Sequence, residues 1–267
     1  KMERFYNKQK ENSEYAKVVK NIPVLGTWDD HDYGLNDGGA EFKQKRESQQ
    51  LFLDFLDVPK DDSRRDREGV YFSEDYSVSG ETIKIIILDT RYFRTPLTDA
   101  KQKGKRYKPN PYGEGTILGK AQWDWLDDEL TGSKADYNVI MSSIQYLSEE
   151  HGFETWGNYP HEKDKFEKLL TRSQAKNVII LSGDRHISEF SKKNIEALNY
   201  PLIDFTSSGL THSYSNFDGE PNKYRVGDVV SETSYGLLKF YFDNKQVRFE
   251  IAGENGRIVG ELKQVYN

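Results

Sequence analysis

The sequence predicts an α/β fold with a layered sheet core, and three observations carry that prediction. Apolar runs read as buried strands: "IPVLGTW" (22–28), "TIKIIILDT" (82–90), "YNVIMSSIQY" (137–146) and "NVIILSGDRHISEF" (177–190). Segments of helical spacing alternate with them. The chain then finishes in a meander over 234–266, with "YGLLKFYF", "QVRFEIA" and "RIVGELKQV" separated by the turns "DNK" and "ENG". Alternating strands and helices followed by antiparallel strands place the chain in the α/β class. Its 267 residues suffice for a substantial core and are read as one domain over 1–267.

Each element has its own signal. Residues 12–21 read as a short helix that leads into the strand at 22–28. Over 40–57, Phe42, Leu51, Phe52, Phe55 and Leu56 group on one helical face, and Pro59 ends the run. "SRRDREGVYFSEDYSV" reads as a strand after a charged loop. Residues 93–118 are polar and rich in Gly, Pro and Lys, which predicts a long loop of functional rather than idle character. Residues 119–131 form a helix with Trp123, Leu126 and Leu130 inward. A second loop carries His151 and His161, 161–173 is helical, and "YPLIDFTSSG" is a strand and turn.

Composition narrows the function classes. A net charge of −6 argues against a general nucleic-acid binder, which carries a basic stripe. With no cysteine there are no disulfides and no thiolate zinc site, but a metal site of His and carboxylates stays open. No stretch is long and apolar enough to span a membrane. The opening residues are charged and lack the apolar run of a signal peptide.

The chemistry concentrates at strand ends. The run at 22–28 ends in Asp29, Asp30, His31 and Asp32, and the run at 82–88 in Asp89, Thr90 and Arg91. The run at 137–141 ends in Ser142, Ser143 and Gln145, and the last in Asp184, Arg185 and His186. In open α/β sheets ligands sit outside the carboxyl ends of the strands, so four such ends would converge on one site. Asp30 with His31 and Asp184 with His186 supply oxygen and nitrogen ligands suited to Fe, Mn, Zn or Ca. Close carboxylates without a cation would raise one another's pKa. Arg91 and Arg185 are candidates to hold an anionic group bidentately. Together these types point to metal-assisted attack on a phosphoryl centre.

Each residue also has a plainer reading. An Asp-His-Asp cluster can be a capped turn, and Asp is a common helix N-cap. Asp29 or Asp32 can serve only to orient His31. Asn36 and Asp37 are either further metal ligands or an Asx turn. Arg91 can pair with a buried carboxylate such as Asp89. His151, His161 and His212 lack ligand spacing and read as loop residues, His212 in "SSGLTHS" being the best functional candidate of the three.

Five motifs occur in order over roughly residues 10–215: "TWDDHDYGLND", "LDTRYFR", "LGKAQWDWLDDEL", "SSIQYLSEEHGFETWGNYPHEKD" and "SGDRH". This series resembles the successive motifs of the PhoD-like alkaline phosphatases, a branch of the calcineurin-like metallophosphoesterases. The resemblance implies an α/β/β/α sandwich and hydrolysis of phosphate esters, monoester or diester, by in-line attack of a metal-bound hydroxide. It implies Asp30, Asp184 and His186 as metal ligands, with His31 assisting the leaving oxygen and Arg91 neutralising charge. Gln145 stands where the wider superfamily carries a ligating His. The implied metals are therefore iron with calcium rather than a plain pair of zinc ions, with zinc or manganese as alternatives.

The family opens with a further strand, an Asp ligand and a "GDxxY"-type motif, and this chain starts just downstream of them. A fragment of a longer, exported protein, with core strands and metal ligands upstream, is therefore expected. The alternative is a non-catalytic remnant with a binding or structural role.

Overall fold

The computed structural model describes residues 2–266. Helices α1 (Met2–Lys10) and α2 (Ser13–Asn21) lead to the single turn α3 (Asp30–Tyr33) and to α4 (Lys45–Phe55). Strands β1 (Phe72–Val78) and β2 (Glu81–Ile87) form a hairpin, as do β3 (Thr98–Gln102) and β4 (Lys105–Lys108). Then follow α5 (Gly119–Gly132), β5 (Tyr137–Met141), α6 (Pro160–Ser173), β6 (Val178–Ser182), β7 (Ser188–Lys193), β8 (Leu202–Ser207) and β9 (Arg225–Val230). The meander is β10 (Ser234–Tyr241), β11 (Gln246–Gly253) and β12 (Ile258–Val265).

The main sheet has the order β1-β2-β5-β6-β8-β7-β9. Its centre, β2-β5-β6-β8, is parallel, and antiparallel strands close both edges. Parallel strands are covered on both faces, which is why these four read as near-continuous apolar runs. The faces separate cleanly at β5. Asn138 turns towards the helices, where it meets Ser133 Oγ at 2.6 Å and the Lys176 carbonyl at 2.7 Å. Its neighbour Tyr137 turns the other way, edge-on to Phe240 of β10 at 5.1 Å. Thus α5 and α6 cover one face and the β10–β12 sheet covers the other. Leu126 and Leu130 of α5 are fully buried in this core, each contributing about 1.5–3 kcal/mol.

Helices α3 and α4 anchor a smaller second core of Trp28, Tyr33, Phe52, Leu53, Val58, Val70 and Tyr92. The two cores meet at Asp89, just past β2. Its carboxylate accepts Trp28 Nε1 at 2.9 Å and the backbone N–H groups of Val70, Arg91 and Tyr92 at 2.9–3.0 Å.

Four expectations need correction. Residues 22–28 are not a strand: Ile22 and Val24 are exposed, only Trp28 is buried, and the segment pairs with no strand. Pro23 removes a donor, and apolar runs this short do not discriminate strand from coil. The run at 177–190 is two strands, β6 and β7, broken by a tight turn at 183–187. The loop at 93–118 holds the β3–β4 hairpin, whose turn falls at Gly104 with φ +82°. The helix expected over 40–57 begins only at Lys45. The meander over 234–266 is present as read. Among the described residues no helix is long and apolar enough to cross a membrane.

Candidate active site

A cavity of about 510 Å³ opens at the carboxyl ends of β5, β6 and β8. Asp29, Asp30, His31 and Asp32 line one side. Ser142, Ser143, Asp184, His186, Ser207 and Ser208 line the strand-end side, and Met141, Leu181, Phe205 and Leu238 form an apolar floor between the two sheets. Three of the four polar termini singled out in the sequence therefore converge. The fourth does not: Asp89, Thr90 and Arg91 are all fully buried.

The turn at 29–37 is held by its own backbone. The Asp29 carbonyl accepts Tyr33 N–H at 2.8 Å, and the Asp30 carbonyl accepts Gly34 N–H at 2.8 Å, with Gly34 at φ +119°. Asp29 occupies the N-cap of α3, yet its carboxylate makes no cap hydrogen bond, so capping does not explain it. Asp30 is buried. Its Oδ1 accepts the His31 N–H at 2.6 Å and its Oδ2 the Asp37 N–H at 3.1 Å. The His31 side chain is 81% exposed, with Nε2 3.9 Å from Asp30 Oδ2.

Arg91 is fully buried behind this turn. Its Nε donates to Asp29 Oδ1 at 2.8 Å, Nη2 reaches the same oxygen, and Nη1 donates to Glu154 Oε2 at 2.5 Å. Glu154 also pairs with Arg94 Nε at 2.8 Å. The partner is thus Asp29 and Glu154, not Asp89, which receives only the Arg91 backbone N–H. This geometry supports an anchoring role for Arg91 rather than contact with an anion. Glu154 was missed in the sequence because it lies in a loop without periodicity. Burial raises the Asp29 carboxyl against the pull of Arg91, with Asp30 adding to the rise.

Asp184 and His186 sit in the turn after β6 at φ +71° and +53°. Left-handed backbone at two non-glycine residues costs on the order of 1 kcal/mol each and clusters at functional sites. Burial pushes the Asp184 carboxyl well above the usual carboxylate range, and Asp29 and Glu154 push it further against Arg91 and Arg185. The His186 ring stacks edge-on to His212 at 4.2 Å. Burial, then His212 and Arg185, lowers its pKa and so favours the neutral imidazole.

The remaining candidates are spread out. Gln145 is buried in a separate network, donating to Glu189 at 2.8 Å and to Thr206 at 2.9 Å. Arg185 pairs with Glu220 and lies over the Phe153 ring at 4.0 Å. Asn36 lines a neighbouring groove shared with His31 and Asp32. Asp37 is held by Arg106 and Tyr107. His151 is buried, and His161 bonds the Gly115 carbonyl at 3.0 Å.

By type, the donors facing the cavity suit a hard cation, and the buried charge on Asp184 is what a cation would offset. Among the described residues, however, no three His, Cys, Asp or Glu side chains gather closely enough to close round one ion. The described residues do not by themselves complete a coordination shell.

Comparisons with known proteins bear on the family and the fold. A family model described as PhoD-like phosphatase matches residues 3–213. The chain is similar to alkaline phosphatase D of Bacillus subtilis (strain 168), 27% identical over 127 residues, which is 44% of this chain and 21% of that protein. It is also similar to a solved structure described as the structure of PhoD. The TM-score is 0.66 at 19% identity, with 90% of this chain and 51% of that chain covered. That likeness shows a shared α/β fold, and the chain spans about half the length of the solved relative. With the family match running through most of its length, the chain belongs to the PhoD-like phosphatase family.

Proposed function

We propose that residues 1–267 act as one hydrolytic domain that cleaves phosphate esters with the help of bound cations. The observation that carries this reading is the shared cavity of Asp30, His31, Asp184 and His186 at the strand ends. Asp30, Asp184 and His186 would each contribute a ligand to the bound cations without enclosing one by themselves, iron with calcium in first place and zinc or manganese as alternatives. When bound, such a cation neutralises phosphoryl charge and lowers the pKa of an attacking water.

The chain's own residues do the rest. The Ser143, Ser207 and Ser208 hydroxyls can donate to phosphoryl oxygens from the strand-end wall, whereas Ser142 spends its proton on the Ile144 carbonyl. Exposed His31 protonates the leaving oxygen, a step worth about 10²–10⁴-fold. Arg91 acts at one remove by fixing Asp29. The fold relation, the family and the relative's name support phosphoesterase chemistry; monoester or diester preference rests with the loops around the cavity. Export, implied by the resemblance, is checked by locating the full-length protein.

A second reading, a binding domain without turnover, is favoured by the lack of three converging donors among the described residues. One experiment separates the two. The full-length protein is analysed for bound metal and assayed with p-nitrophenyl phosphate and bis-p-nitrophenyl phosphate. Hydrolysis that His31→Ala lowers at least about 100-fold while metal stays bound supports the enzyme. Absence of both metal and turnover overturns it.

A further inference from the structure

The β3–β4 hairpin reaches back to the turn that carries Asp30. Tyr107 Oη donates to Asp37 Oδ2 at 2.7 Å, and Arg106 Nη1 donates to the same oxygen at 2.5 Å. Asp37 sits at φ +46°, a conformation that Asp tolerates but that needs holding. Its backbone N–H donates to Asp30 Oδ2 at 3.1 Å, and its carbonyl accepts Arg94 Nη2. The hairpin is itself fixed, since the N–H groups of Arg106 and Tyr107 both donate to the Gly152 carbonyl at 2.8 Å. A Cβ at Gly152 would stand 2.5 Å from Lys105 Cγ, so only glycine allows this approach without displacing that side chain. Burial and the Asp37 carboxylate raise the Tyr107 phenol, which keeps it a proton donor.

These contacts form a chain from a surface hairpin to a carboxylate at the cavity. We propose that Tyr107 and Arg106 are positioning residues that act through Asp37 to fix the Asp30 carboxylate, with Asp37 as their relay and not a metal ligand. Tyr107 carries the larger share. The Arg106 side chain is 52% exposed, and ion pairs so open to water contribute little. The significance for cation binding rests on the function proposed above; the relay itself does not.

The full-length protein, Tyr107→Phe, Arg106→Gln, Asp37→Gly and the Tyr107→Phe/Asp37→Gly double variant test this. Glycine is chosen at 37 because it keeps the backbone conformation while removing the carboxylate. Three readouts apply: manganese affinity by calorimetry, hydrogen exchange at the Asp37 amide, and the split of kcat from KM with p-nitrophenyl phosphate. Tyr107→Phe should weaken manganese binding about 10–100-fold, speed exchange at the Asp37 amide, and lower kcat with KM unchanged. The double variant should be no weaker than Asp37→Gly alone, because both remove one interaction.

Unchanged affinity and exchange overturn the proposal. So does a rise in KM alone, which would mean that the hairpin touches substrate, and so does additivity in the double variant. If Tyr107→Phe fails to fold, Arg106→Gln carries the test with a smaller shift in the same direction. If the wild type neither binds manganese nor turns over, the proposed function falls. Exchange at the Asp37 amide then decides the relay alone, and rates unaltered by Tyr107→Phe overturn it.

Discussion

Asp29 and Asp184 face one cavity in opposite circumstances. Asp29 meets Arg91, Arg91 meets Glu154, and Glu154 meets Arg94, a row of two anions and two cations that alternate in sign. Asp184 has no ion-pair partner among the described residues, and the Arg185 beside it is committed to Glu220. One cluster satisfies its charges from within the chain. The other leaves a buried carboxyl that Arg91 and Arg185 act on without an ion-pair contact, and that a cation entering the cavity would meet directly. Clusters of the same residue types thus divide the labour between scaffold and ligand.

The largest test of that contrast is Glu154→Gln. It leaves two buried guanidiniums facing a neutral group, and breaking a buried pair costs about 3–5 kcal/mol. Urea denaturation should show the loss, and an unchanged midpoint would dissolve the distinction between the clusters. The next test carries the opposite sign. Asp184→Asn removes a buried carboxyl that forms no ion pair among the described residues and whose ionisation burial opposes, so the metal-free protein should gain about 1–2 kcal/mol at neutral pH. Metal affinity should fall in the same variant. A loss of stability in metal-free Asp184→Asn would show that the chain already satisfies this carboxyl.

The smallest effect sharpens the surroundings of the Asp184 turn. Burial, with Arg185 and Lys105 behind it, lowers the His151 pKa to about 3. An unfolded chain protonates this ring near pH 6.5, while the folded chain does not until about pH 3. Stability should therefore fall as pH drops through that window, by at most about 1.4 kcal/mol per pH unit. Above the window His151 contributes no slope. Denaturation of wild type and His151→Gln at pH 6.5 and 5.5 measures it, and parallel curves would refute the assignment to His151.

The parts of the molecule that were legible are those in which one local pattern suffices. The apolar runs at 82–90 and 137–141 became β2 and β5, and the spacing of Trp123, Leu126 and Leu130 became α5. The polar strand ends pointed to Ser142, Asp184 and His186, which line the cavity. They misled at Asp89 and Gln145, because a strand-end position does not say to which face a side chain turns. Both turn into hydrogen-bond networks in the core. Glu154 lies on a loop and Tyr107 on the short strand β4, both with partners far along the chain, and no periodicity announces such pairings. For the β3–β4 hairpin a signal did exist in "KQKGKRYK", where glycine marks a turn between two basic, polar stretches.

The Asp29–Arg91–Glu154 chain has a kinetic consequence. Its links join residues 62 and 63 positions apart, so three distant segments must meet before any one of these charges is satisfied. Closing such loops is an entropic cost met before the contacts reward it, so this cluster is expected to form late in folding. Interactions absent from the transition state govern how fast a protein comes apart, not how fast it assembles. The wall of the cavity is in that sense a latch: it sets the lifetime of the folded site rather than the route by which the site is reached.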